Sequence, residues 1–141
     1  MKKNKISKNW LHEQKRDIYF KRSKAQGYRS RSAFKLIEMN NKFNFLKRRS
    51  LLLDLVSSPG GWSQVASKKI TNGKILAVDI KFMEKIKDVD FINEDFSFEE
   101  TRIKIVNHFK LKIDVVLSDM AVNTSGNKDL DSYKTGELCL K

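Results

Sequence analysis

The chain is poor in the residues that staple or punctuate small folds. Among its 141 residues there is a single cysteine, Cys139, which excludes an internal disulfide framework and suits a reducing, cytoplasmic compartment. There is a single proline, Pro59, and only six glycines, and neither a low-complexity linker nor an internal repeat divides the sequence. No apolar run approaches the roughly 18–20 residues that a membrane span needs. The basic N-terminus has no apolar stretch behind it, so it does not read as a secretory signal, and no membrane association is expected. His12 and His108 have no metal-ligand spacing with each other or with Cys139, so no metal is expected.

Acidic residues are scarce in one place. Residues 1–50 hold 16 Lys and Arg against 3 Asp and Glu, whereas residues 51–141 hold 13 against 14, so the net charge of +12 sits on the first segment. A basic segment joined to a near-neutral body reads as a footprint for a polyanion. Its apolar face is modest, which favours nucleic acid over an anionic membrane surface. The plain alternative is a solvated tail that aids solubility. The chain is therefore read as a basic N-terminal arm with helices, 1–50, and a globular core, 51–141. Forty percent hydrophobic residues, nine Phe and two Trp suffice for one packed domain.

Periodicity gives the elements. Residues 1–7 read as a frayed arm. Residues 8–25 read as a helix with Trp10, Leu11, Ile18 and Tyr19 as candidate core contacts, stopped by Gly27. Ser30 is placed to cap a second helix to about Phe43, with Ala33, Leu36, Ile37 and Asn40 on one face and Lys35 on the other. Leu51–Val56 is an apolar run broken only by Asp54, as in a strand buried on both faces. A helix over Gly60–Ile70 follows, with Trp62, Val65, Ala66 and Ile70 inward, then strands over Lys74–Ile80, Asp90–Glu94 and Ile113–Leu117. Ser97–Glu100 is a capping box opening a helix to about Phe109, with Phe98, Ile105 and Phe109 inward. A last helix is expected from Ser132. The alternation predicts an α/β fold with a parallel sheet of four strands and right-handed crossovers.

In such folds ligands lie beyond the carboxyl ends of the strands. The first strand runs into Ser57-Ser58-Pro59-Gly60-Gly61-Trp62, where glycines permit close backbone approach and open a helix. Asp79 ends the second strand nineteen residues after Gly60, Asp95 ends the third, and Ser118-Asp119 ends the fourth. Taken alone, each is a turn or a helix cap. Taken together, strand-end acids after one glycine turn favour a nucleoside ligand. The glycine turn lacks the full G-x-G-x-x-G pattern, which argues against a nicotinamide dinucleotide.

Arg29-Ser30-Arg31-Ser32-Ala33-Phe34-Lys35-Leu36, Asp54-Leu55, Ser58-Pro59-Gly60-Gly61-Trp62-Ser63-Gln64, Val78-Asp79, Asp95-Phe96, and Ser118-Asp119-Met120-Ala121 with Asn123 resemble, in order and spacing, the FtsJ/RrmJ ribosomal RNA methyltransferases. The resemblance spans nearly the whole chain. It implies a Rossmann-like fold with the strand order 3-2-1-4, and S-adenosylmethionine as cofactor, contacted by Gly60, Trp62, Asp79, Asp95 and Asp119. It also implies that Lys35 and Asp119 belong to a Lys-Asp-Lys-Glu catalytic set, with Arg29, Arg31 and Lys35 on RNA. The implied reaction is 2′-O-methylation of a uridine ribose in large-subunit ribosomal RNA. Two departures stand out. The family carries Gly where this chain has Val56, and a β-branched residue there is expected to strain a tight turn or crowd the cofactor. The family also continues for a further third, which holds the second lysine and the glutamate. On that ground the Rossmann-like core is expected to be incomplete and the chain alone weakly active or inactive. The rival readings are a non-catalytic RNA-binding remnant, or half of an enzyme completed by a C-terminal partner chain. The weightier reading of Trp10 and Tyr28 is packing against the body, with base stacking the alternative.

Overall fold

A computed structural model describes residues 5–119. The elements run α1 (Lys5–Ala25), α2 (Ser32–Phe43), β1 (Leu51–Leu55), α3 (Gly61–Lys69), β2 (Lys74–Val78), β3 (Asp90–Ile92), α4 (Glu99–Phe109) and β4 (Val115–Ser118). The helix expected from Ser132, together with Met120, Ala121, Asn123 and Cys139, lies outside the described residues.

All pairings are parallel and the strand order is β3-β2-β1-β4. Central β1 explains why its sequence is apolar throughout, since neighbours flank it on both sides and helices cover both faces. Leu52 faces one core with Ile75, Ala77, Leu117 and the inner sides of α2 and α3. Leu53 faces the other with Leu76, Val78, Ile105 and Phe109 of α4. Ala33 and Leu36 of α2 are fully buried in the first core, so the basic segment 1–50 shares its hydrophobic interior with the sheet.

Gly27 ends α1 as the spacing predicts. It sits at φ +75°, Tyr28 N donates to Ser23 O at 2.8 Å and Gly27 N to Lys24 O at 3.2 Å, the paired bonds of a Schellman turn. Four expectations are overturned. Trp10, Leu11 and Ile18 are 57%, 51% and 55% exposed rather than in the core. Contact with α2 is made near the end of α1, where Tyr19 lies 5.8 Å from Phe34 and Arg22 covers the Phe34 ring at 5.0 Å. Ser30 does not cap α2. Arg31 occupies the N-cap in a helical conformation without a side-chain cap bond, while Ser30 Oγ pairs with Ser32 Oγ at 2.6 Å. Phe98 is 61% exposed because it is itself the extended N-cap of α4, one residue before the helix begins and three before its inward stripe of Thr101, Ile105 and Phe109. Ser97 makes no cap bond there; its amide donates to Asp95 Oδ1 at 2.8 Å.

Candidate active site

The four strand ends point the same way and deliver their polar residues to one cleft. Strand β1 leaves the sheet through Val56 in the left-handed region at φ +57°. Gly60 follows at φ +113°, where a Cβ would lie 2.7 Å from Ile86 Cδ1. A Cβ on Gly61 would lie 2.2 Å from Ser30 Oγ. These contacts are too close for a side chain, so the two glycines let the α3 N-terminus seat against α2 and the 81–89 loop.

Asp79 ties three strand ends together. Its Oδ2 accepts from Ser58 N at 2.8 Å, its Oδ1 from Lys81 N at 2.9 Å, and its backbone carbonyl from Asn93 Nδ2 at 2.9 Å. Asp95 caps its own turn through the Ser97 amide at 2.8 Å. With Val56, Ile80, Glu94, Phe96 and Ser97, the two acids line a cavity of about 170 Å³. The Glu94 carboxyl is held below its usual range, chiefly by hydrogen bonding from Lys104 and then from Thr101, and so enters this wall as an anion.

A second, smaller cavity of about 80 Å³ lies across Val56, between α2 and the start of α3, and reaches Asp54, Ser57, Trp62 and Asp119. Val56 is the wall common to both. Trp62 is buried and fixed, its indole N–H donating to Ser32 O at 2.8 Å. Lys35 Nζ stands 2.8 Å from Asp119 Oδ1 and 5.7 Å from the centre of the Trp62 ring.

Trp62 and Asp119 therefore line the smaller cavity, Asp79 and Asp95 the larger, and Lys35 reaches the first through Asp119, whereas Gly60 lines neither and sits against Ile86 and Met83. Arg31 lies beside Lys35 in the groove between α1 and α2. Arg29 is placed differently. Its guanidinium donates to the carbonyls of Pro59, Glu84 and Lys85 at 3.1, 2.7 and 2.9 Å, and its amide to Gln64 Oε1 at 2.8 Å. Those bonds brace the glycine turn against the 81–89 loop.

Sequence reasoning missed Asp54, Ser57 and Glu94. Asp54 is 1% exposed, and Ser63 Oγ donates to its Oδ2 at 2.7 Å. Burial pushes its carboxyl up to about 7, the Ser63 hydrogen bond opposes this, and the nearby Asp79 and Asp119 charges add to the rise. Its signal was visible, since a carboxyl inside an otherwise apolar central strand needs a reason. Ser57, which lines the smaller cavity, has a buried Oγ with no hydrogen-bond partner among the described residues. Among the described residues, no cluster of three or more His, Cys, Asp or Glu is arranged to hold a metal, and no helix is long and apolar enough to cross a membrane.

The chain is similar to known proteins. The family model of the FtsJ-like methyltransferases matches residues 28–141. The ribosomal RNA large subunit methyltransferase E of Pelagibacter ubique is 50% identical over 141 residues, covering 100% of this chain and 70% of that protein. Its namesake from Rickettsia felis is 41% identical, covering 98% of this chain and 63% of the relative. The one from Rhodopseudomonas palustris is 44% identical, covering 91% and 56%. The chain thus spans between just over half and about 70% of the length of these curated relatives. Among solved structures, a ribosomal RNA methyltransferase from Plasmodium falciparum superposes with a TM-score of 0.74 at 38% identity, covering 80% of this chain and 67% of that one. With its four parallel strands in a Rossmann-like arrangement and most of its length matched by the family model, the chain belongs to the FtsJ-like methyltransferases.

Proposed function

We propose that this chain carries the cofactor half and the first catalytic residues of an S-adenosylmethionine-dependent 2′-O-methyltransferase acting on a uridine ribose of large-subunit ribosomal RNA. The observation that carries the reading is the Lys35–Asp119 pair at the mouth of a cleft walled by strand-end acids. The names of the relatives support ribosomal RNA as substrate.

The cleft fits the proposed cofactor chemically. Asp79 and Asp95 can accept from ribose hydroxyls and the adenine amine in the larger cavity. Asp119, with Ser57 Oγ, faces the smaller one and suits an α-ammonium and carboxylate. When bound, S-adenosylmethionine supplies an electrophilic sulfonium methyl. The protein's contribution is then orientation, holding a ribose oxygen in line with that methyl. Lys35 sits where its ammonium would stabilise the oxygen as its proton departs, and Asp119 fixes the direction of that ammonium. Arg31 and the α1 cations would hold phosphates.

A second reading, RNA binding without efficient turnover, draws on one observation. Val56 holds a left-handed conformation unfavourable to a β-branched residue and separates the two halves of the cofactor cleft.

The test pairs calorimetric titration of S-adenosylmethionine with transfer of labelled methyl to large ribosomal subunits, read as 2′-O-methylated nucleoside. Cofactor binding and transfer that is lost on Lys35→Ala support the proposal. Tight RNA binding with no cofactor heat would favour the second reading.

A further inference from the structure

Beside the cofactor cleft runs a second concavity, between α1 and α2. It encloses about 360 Å³, within the range of about 300–1,000 Å³ typical of small-ligand clefts. Its α1 wall is His12, Arg16 and Tyr19, residues spaced to share one helix face. Its α2 wall includes Arg31, Phe34, Lys35 and Glu38, again at spacings of three and four. Ser32 lines both this groove and the smaller cofactor cavity. Lys35 lines the groove and also reaches Asp119. The groove therefore opens directly onto the reacting centre.

Its chemistry is mixed in an informative way. Arg16, Arg31 and Lys35 attract a polyanion, and a phosphate-only track would need nothing else. Here the cations surround an aromatic platform. Tyr19 is partly exposed and leans on Phe34 at 5.8 Å with a 39° tilt, while Phe34 is itself held by Arg22 and the edge of Tyr28. Glu38 adds a carboxylate, which repels phosphate but accepts N–H groups from a base edge. Unstacked bases of single-stranded RNA are recognised by this combination of aromatic face and edge acceptor.

We propose that the α1–α2 groove is a nucleobase subsite, taking an unstacked RNA base against Tyr19 with Glu38 at its edge and Arg16 and Arg31 on the flanking phosphates. The inference rests on the RNA-methylation reading and adds to it that the nucleotide at or next to the reacting ribose is presented single-stranded.

Fluorescence anisotropy with a short labelled single-stranded RNA and a blunt duplex of equal phosphate count tests it. The wild type binds the single strand more tightly. Tyr19→Leu keeps packing against Phe34 but removes the aromatic face, and it weakens single-strand binding by about 5- to 150-fold, the worth of one base–aromatic stack, without changing the salt slope. Tyr19→Phe retains wild-type binding. Glu38→Gln changes the ranking of oligo-U, oligo-C, oligo-A and oligo-G strands. Wild-type RNA binding that is unaffected by Tyr19→Leu, or equal for duplex and single strand, overturns the subsite and leaves the methyltransferase reading standing. A wild type that binds neither RNA overturns both.

Discussion

The Lys35 ammonium reaches across the mouth of the cleft to Asp119, 84 residues later in the chain, and meets its Oδ1 at 2.8 Å. Both side chains remain well exposed, at 60% and 43%, so water screens the pair. Exposed ion pairs of this kind contribute about 0–1 kcal/mol. Placement of the ammonium, rather than stability, is what the pair provides.

Lys35→Ala should accordingly leave stability within about 1 kcal/mol of the wild type. Urea denaturation measures this, and a larger loss would make Lys35 a structural residue. Whatever methyl transfer the wild type shows to ribosomal RNA should fall sharply in the same variant.

Val56→Gly should tighten S-adenosylmethionine binding. Glycine adopts the same left-handed conformation without the roughly 1–2 kcal/mol that it costs a residue with a Cβ, and it opens the wall between the two cavities. Val56→Ala keeps the strained backbone but clears most of the wall. Calorimetry on both variants separates the causes: improvement in both indicts the side chain, and improvement in glycine alone indicts the backbone. Tight wild-type binding unchanged by either would mean that valine is tolerated.

Asp54 predicts a pH dependence. Its carboxyl is raised from 3.8 to about 7, so the folded protein holds a proton that the unfolded chain has released. That contribution is fully present below the unfolded value and is lost as pH rises through about 7. Between about pH 4 and 7 it should cost up to about 1.4 kcal/mol per pH unit. Asp54→Asn keeps an acceptor for Ser63 but cannot ionise, and it should flatten this part of the stability profile. Equal slopes in wild type and variant would show that Asp54 does not titrate there.

A fourth variant set reads the glycine turn. Gly61→Ala should destabilise, because its Cβ would lie 2.2 Å from Ser30 Oγ. The next atom, Ser30 Cβ, is at 3.4 Å, so Ser30→Ala should relieve the clash. A double-mutant cycle should return a favourable coupling of about 0.5–3 kcal/mol. Additive effects would mean that the clash relaxes by backbone movement.

RNA binding should be steeply salt-dependent. Lys15, Arg16 and Lys21 are exposed on α1, so their replacement spares the core shared by α2. The triple serine variant should lower the log–log salt slope by roughly 2, at about 0.7 per lost contact on single strands. An unchanged slope would move the footprint elsewhere.

Much of this molecule follows from local sequence. The α/β class and the four parallel strands follow from apolar runs alternating with helical periodicity, because a parallel strand buried on both faces tolerates little else, whereas the order 3-2-1-4 was legible only through the family resemblance. Gly27 had to end α1, and Gly60-Gly61 had to open α3. Strand-end acids at Asp79, Asp95 and Asp119 were legible because parallel topology sends every strand end to one side. Tertiary structure alone decided the rest. Trp10, Leu11 and Ile18 look like core residues by spacing, yet nothing in the described fold lies over them, since periodicity reports a face and not what covers it. Arg29 belongs to a basic string that resemblance assigns to RNA, and only the fold shows that its guanidinium donates to two carbonyls of the 81–89 loop and to that of Pro59. Asp54 acquires its raised proton affinity only when folding removes water and brings Asp79 and Asp119 near. Charge identity is written in the chain, whereas its solvation and its neighbours are set by contacts between residues far apart in it.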